Sequence, residues 1–307
     1  MIARQGGGTN AGHMGLRWTG TGVTLAVVSA GLLLGCAHPP PAPVGSDQGE
    51  ERRLAGAEGW LLGRSLGFGF ATSVVFVHGV GGNNHNFDPQ MAEFRSSRRV
   101  VAFDQRGCGG SADAPAGNYD LDTRVQDLRK LLDGLRLEMP VLVGQGTGVQ
   151  VVARFAERNP GNVLGLVLVD PVSGNAEAGR VAALPDSDFR PAVERWLVTL
   201  LGGARAETRE QVLASVQVAR IPAMRAMLSD AATTDLPASL AAFPGPVLVL
   251  AAPDEPVPSP LQPGIVVRRL SSGGHWSTLD VPDEVNAALR EFLRPLDAAA
   301  RTRRWSG

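Results

Sequence analysis

Val141-Leu-Val-Gly-Gln-Gly-Thr-Gly148 reads as a buried strand that breaks into a sharp turn. The Pro140-Val-Leu-Val143 run has the β-branched, wholly apolar character of a strand covered on both faces. Val149 to Arg158 then reads as a helix, stopped near Pro160. Between strand and helix stand three glycines, Gly144, Gly146 and Gly148, which let the backbone turn tightly and approach its neighbours. The residue at the tip, Gly146, offers the turn no side chain at all.

Working outward, apolar strand runs alternate with helical patterns, the signature of a mostly parallel sheet covered by helices. Ser73-Val-Val-Phe-Val77, Arg99-Val-Val-Ala-Phe103, Val163 to Val169, Pro246 to Leu250 and Ile265 to Arg268 are further strands. Asp120 to Leu135 carries Leu121, Val125, Leu128, Leu132 and Leu135 at spacings of three and four, one apolar face of a helix. A last helix starts near Pro282, a residue suited to a first turn. Its core face is Val285, Leu289, Phe292 and Leu293. Between Asp170 and Phe243 the strand signals vanish. Trp196–Leu201, Gln211–Ala219 and Met224–Leu228 read as helices, an insert suited to a cap over a site. The stripe Trp196, Leu197, Leu200, Leu201 either packs within that cap or faces a substrate or a membrane.

The expected organisation is an α/β core over residues 54–170 and 244–297, a helical cap over 171–243 and a tail over 298–307. Ahead of these stand a leader over 1–35 and a Pro-rich tether over 36–53. With 307 residues, 44% of them hydrophobic, the chain can bury a large core. Lys+Arg 29 against Asp+Glu 30 gives a net charge of −1, without the basic stripe a nucleic-acid partner requires.

The leader has Arg17 before the apolar run Val23 to Leu34, too short and glycine-rich for a membrane span. It reads as a secretory signal that starts at Met1 or at Met14. Leu33-Leu-Gly-Cys36 resembles the bacterial lipoprotein lipobox. The resemblance implies cleavage before Cys36 and lipid on its sulfur and new amino group. Ala37 after it favours the outer membrane, facing the periplasm. His38-Pro-Pro-Pro-Ala-Pro43 would be a stiff polyproline tether. An ordinary cleaved signal with an incidental cysteine is the plainer alternative. The chain has two cysteines, so a lipid on Cys36 leaves Cys108 without an intramolecular partner and the fold without a disulfide framework.

Four motifs carry a family resemblance. They are Val74-Val-Phe-Val-His-Gly-Val-Gly-Gly82, Phe103-Asp-Gln-Arg-Gly-Cys-Gly-Gly-Ser111, the turn at Gly144–Gly148, and Gly273-Gly-His-Trp276. In this order, each at the end of an expected strand, they resemble the α/β-hydrolase superfamily over residues 54–297. The Asp104–Ser111 form is most similar to its proline-iminopeptidase branch. In that family the turn reads G-x-S-x-G and its serine is the nucleophile. Gly146 stands at the serine position. The resemblance assigns His275 as catalytic base, a role for which histidine is the usual side chain. Its acid partner comes from Ala251-Ala-Pro-Asp-Glu-Pro-Val-Pro258: the register points to Glu255, with Asp254 as the alternative if the loop shifts by one. Asp170, at the end of an earlier strand, is a further candidate. The oxyanion donors implied are the N–H groups of Val80 and Thr147. Cys108 is expected to be a packed thiol, and Arg106 a brace for its loop. No cofactor or metal is expected.

Three functions follow as expectations. The first is an ester- or amide-class hydrolase framework, degenerate or weakly active, acting on a small molecule or peptide. The second is a pseudoenzyme that binds a ligand or partner. The third is an enzyme that uses His275 as a base without a covalent intermediate. Thr147 as a replacement nucleophile fits poorly, because it sits one residue past the elbow tip.

Overall fold

The computed structural model describes residues 49–305, and the side chains as far as residue 299. The leader and Cys36 lie outside the described residues. Eight strands form one sheet in the order β1-β2-β4-β3-β5-β6-β7-β8. β1 (Arg52–Ala55) and β2 (Trp60–Leu66) form an antiparallel edge. β3 (Val74–Val77), β4 (Val100–Phe103), β5 (Val141–Gln145), β6 (Gly165–Val169), β7 (Val247–Ala251) and β8 (Val266–Arg269) run parallel. This is the mostly parallel, helix-flanked α/β architecture that the resemblance implies.

The edge hairpin escaped the sequence reading for a physical reason. β1 exposes three of its four residues, and β2 carries Gly63 and the buried Arg64 inside its apolar run. Neither element has the continuous apolar character that marks a strand covered on both faces.

The central strands are buried on both sides, and their period of two sorts their side chains into two layers. Val75, Val77, Val101, Phe103 and Leu142 face α2 (Leu121–Leu135) and α3 (Val149–Arg158). Val74, Phe76, Val100, Ala102, Val141 and Val143 face the other layer. That layer is closed by α1 (Asp88–Phe94) and by Val285, Leu289 and Leu293 of the final helix. α2 starts where the Asp120 side chain accepts from the Thr123 N–H, a typical N-cap.

Four helices between β6 and β7 build the cap: α4 (Ala176–Ala182), α5 (Asp186–Leu200), α6 (Ala206–Val218) and α7 (Ile221–Thr233). Trp196, Leu197 and Leu201 are buried among Val212, Val216 and Met227, so most of the apolar stripe is the cap's own core. The fifth helix, α8 (Leu236–Ala241), differs from the expected cap. Its Leu236 and Leu240 pack with the sheet layer beside α3. After β8 come α9 (Ser277–Asp280) and α10 (Pro282–Trp305), which runs past the expected start of the tail. Among the described residues no helix is long and apolar enough to cross a membrane.

Candidate active site

The parallel strands deliver their C-terminal ends to one edge of the sheet, where ligands bind in folds of this kind. The turn after β5 carries Gly146 at φ +57°, left-handed backbone that a glycine adopts without the cost other residues bear. Its flanking glycines are required by contact. A Cβ on Gly148 would lie 2.3 Å from the Val77 carbonyl oxygen, and one on Gly144 2.8 Å from the Val149 Cα. The turn is thus wedged against the end of β3 and the start of α3.

His275 is buried in the loop between β8 and α9, and Glu255 lies in the loop after β7. His275 Nδ1 sits 3.1 Å from Glu255 Oε1. A proton on Nδ1 donates to that carboxylate and leaves Nε2 as the basic nitrogen. Nε2 points at the elbow: a Cβ built on Gly146 would stand 2.9 Å from it. The imidazole therefore occupies space that a side chain at position 146 would need. Of the two adjacent carboxylates, the structure brings Glu255 to the histidine and leaves Asp254 exposed.

Three buried contacts hold this pair in place. The Gln145 side-chain amide, one residue before the elbow tip, donates to the His275 carbonyl at 2.9 Å. Trp276 packs edge-on against the imidazole, with ring centroids 4.9 Å apart. Asp170 accepts from the Ala252 N–H at 2.8 Å with one oxygen and from the Ser277 N–H at 3.1 Å with the other. It thereby clamps the loop that carries Glu255 to the loop that carries His275. Burial pushes the Asp170 carboxyl up to about 6, against the opposing pull of His275 and of these hydrogen bonds. Its φ of +45°, rare outside glycine, marks a tight turn at the end of β6. The sequence reading placed Asp170 among the candidate acids; here its oxygens serve the two loops.

The oxyanion side is built differently. His78, Gly79 and Val80 follow β3. The Val80 N–H donates to the Thr147 hydroxyl oxygen at 2.9 Å, and both residues are buried. One of the two expected oxyanion donors is thus taken by the side chain of the residue that carries the other. The Thr147 N–H belongs to the first turn of the elbow helix and has no acceptor within that turn.

The Asp104–Ser111 loop underpins this side. Asp104 accepts from the Asn84 N–H at 2.7 Å and from the Gly110 N–H at 2.8 Å. The Gln105 N–H donates to His78 Nε2 at 2.9 Å, so His78 Nδ1 carries the proton and donates to the Gly79 carbonyl at 2.7 Å. Burial holds His78 below its ordinary pKa, keeping the neutral form that this pattern needs. Arg106 pairs with Asp127 at 2.5 Å and reaches Glu58 and the Asn118 carbonyl, the brace expected of it. Cys108 is buried and pushed up to about 12 by desolvation, a packed thiol and no nucleophile.

The cap presses on these loops. A Cβ on Gly81 would meet Leu197 of α5 at 2.8 Å, and one on Gly274 would meet the Gly202 carbonyl at 3.0 Å. Among the described residues no group of three or more His, Cys, Asp or Glu is placed to hold a metal ion.

Comparison with known proteins decides the family. Residues 74–288 match the family described as "Alpha/beta hydrolase family". The chain belongs to that family. Among the chain's curated relatives, one from Variovorax paradoxus named "Putative carbamate hydrolase RutD" is 31% identical over 247 residues, covering 74% of this chain and 93% of the relative. A non-heme chloroperoxidase from Streptomyces lividans is 42% identical over 101 residues, 32% of this chain and 36% of its own. A solved esterase from Exiguobacterium antarcticum superposes with a TM-score of 0.69 at 18% identity, covering 80% of this chain and all of its own length. This last likeness concerns the α/β-hydrolase fold alone.

Proposed function

We propose that this chain is a hydrolase-fold protein of the bacterial envelope whose ester- or amide-cleaving site is degenerate, silent or weakly active toward small molecules. The observation that carries the reading is at the elbow. Position 146 has no side-chain atom, and His275 Nε2 stands 2.9 Å from where its Cβ would be. The Thr147 hydroxyl on the Val80 N–H supports it, since an acyl oxyanion would have to displace that bond. Removing the nucleophile of a triad costs on the order of 10⁶ in turnover, with a residual of roughly 10³ over water. Relatives named "Putative carbamate hydrolase RutD" favour a small carbonyl substrate, and the Asp104–Ser111 motif favours the proline-iminopeptidase branch.

The test is labelling with a fluorophosphonate probe, together with turnover of short p-nitrophenyl esters. The wild-type protein is expected to stay unlabelled. Gly146→Ser is expected to restore labelling once the imidazole yields a few tenths of an ångström. A folded Gly146→Ser protein that never labels would sink the claim that a hydrolase site surrounds the elbow.

A second reading is base-only chemistry, favoured by the intact Glu255–His275 pair. It requires turnover without covalent labelling that is lost in His275→Ala. The leader motif supports lipid attachment at Cys36 and an outer-membrane location facing the periplasm. Cys36→Ser is expected to abolish labelling by a radioactive fatty acid. Persistent labelling would refute the anchor.

A further inference from the structure

The edge of the sheet opposite the candidate site carries features that the hydrolase reading does not use. Leu66 ends β2, and the loop Gly67-Phe-Gly-Phe70 follows it. Phe68 is 87% exposed and Phe70 83%. They are not on a loose excursion. Gly67 at φ +72° and Gly69 at φ +134° press the loop onto the turn before β4. A Cβ on Gly67 would stand 2.2 Å from the Arg98 carbonyl oxygen, and one on Gly69 3.0 Å from that of Ser97. The close approach leaves the two aromatic rings to face outward.

Beside them opens a cleft of about 580 Å³ lined by Arg52, Arg99 and Arg136, with Glu138 as its acidic residue. None of the three arginines forms an ion pair among the described residues. Arg99 donates to the Ser65 hydroxyl and the Leu135 carbonyl, both neutral. Burial and the neighbouring Arg52 charge push its pKa below the ordinary value. Cations left without counter-charges, beside protruding aromatic rings, match an anionic interface with apolar material beneath it.

The entry of the chain adds a second line. Gly49, the first described residue, lies against the Leu66 side chain, at the base of the same loop. Twelve residues, 37–48, separate it from Cys36. Extended, they span at most about 40 Å.

We propose that the face formed by Phe68, Phe70, Arg52, Arg99 and Arg136 docks on a bilayer rich in anionic phospholipid. The rings enter the headgroup–acyl boundary and the guanidinium groups meet lipid phosphates. The candidate site, at the other edge of the sheet, then faces away from the bilayer. The inference goes beyond the hydrolase reading and holds whether or not Cys36 is acylated.

The test uses the full chain with Cys36→Ser and an environment-sensitive fluorophore on Phe68→Cys, Cys108 being buried from the reagent. A second protein carries the fluorophore on Phe70→Cys, in case the first folds poorly. Val218→Cys, on the 58% exposed Val218 of α6, is the reference position. With phosphatidylglycerol vesicles, the probe at 68 or 70 is expected to shift blue and to be quenched by nitroxides on the acyl chains. The probe at 218 is expected to do neither. Arg52→Gln and Arg136→Gln are each expected to weaken binding by about fivefold, an effect that fades as salt is raised. Equal responses at 68, 70 and 218, as attachment through the apolar run 23–34 alone would give, overturn the proposal. Indifference to phosphatidylglycerol also overturns it. So does a shift that grows with protein concentration without vesicles, which would mark a contact between copies of this chain.

Discussion

The two halves of the site differ in what holds them. On one side, Glu255 holds the His275 imidazole, and Gln145, Trp276 and Asp170 hold the loops around that pair. On the other side, Gly146 at the elbow tip has no side chain and the Val80 N–H is satisfied by Thr147. The base half depends on side chains from the end of β5 and from three separate loops, and these contacts also tie the loops to one another. The nucleophile half depends on one side chain that nothing else in the fold requires. A hydroxyl at position 146 can be lost without leaving a buried group unpaired, whereas losing Asp170 orphans two buried N–H groups. On the proposed reading, that asymmetry is how the framework stays intact around an elbow tip without a side chain.

The largest expected effect comes from rebuilding the altered half. Gly146→Ser combined with Thr147→Ala is expected to raise p-nitrophenyl ester turnover by about 10³-fold or more over wild type. About 10² of that gain should come from freeing the Val80 N–H. Steady-state rates of both single variants and the double variant measure the split. If Thr147→Ala adds nothing to Gly146→Ser, the threonine hydroxyl does not block the oxyanion position.

Within that rebuilt protein, Glu255→Gln is expected to lower kcat by roughly 10³-fold, because an amide no longer stabilises the imidazolium or fixes its tautomer. The same kinetic assay checks it. An unchanged kcat would mean that the intact half is intact in geometry only.

Asp170 supplies a pH signature. Its carboxyl is raised to about 6 in the folded protein by burial, above the ordinary value near 3.9 of an unfolded chain. The folded state therefore binds its proton more tightly, and this contribution to stability is fully present below about pH 4. It is lost as pH rises through about 6, at a cost of about 3 kcal/mol. Asp170→Asn removes the titration. Denaturant unfolding should show wild-type stability falling relative to the variant between about pH 4 and 6, then running parallel to it. Parallel curves across the whole range would show that Asp170 does not titrate there.

The smallest effect is expected at Asp254. Asp254→Asn should change stability by less than about 0.5 kcal/mol and leave the rate of the rebuilt enzyme unchanged. A clear loss would move the acid one residue earlier than the structure places it.

Much of this arrangement was legible along the chain. The six parallel strands, the elbow and the Gly273–Trp276 loop announce themselves locally, because each is written in consecutive residues. The register favoured Glu255 but left Asp254 open: they differ by one position, and the path of the loop after β7 decides which reaches His275. The Thr147 bond to Val80 spans two loops far apart in sequence, as does the Asp170 clamp. No local pattern encodes either contact. The edge hairpin was hidden because partly exposed strands lack the apolar run that reveals buried ones.

By itself the sequence determined the family's framework and the glycine at the elbow tip, since both follow from residue identity and short-range periodicity. The tertiary structure alone decided which carboxylate meets His275, that the imidazole stands over the elbow tip, and that the Val80 N–H is bonded to the Thr147 hydroxyl. These depend on angstrom-scale approach between segments whose positions are fixed by packing of the whole sheet. The Gly67–Phe70 loop shows the same division. Its two phenylalanines are plain in the sequence, but only the contacts of Gly67 and Gly69 with the turn before β4 turn their rings outward.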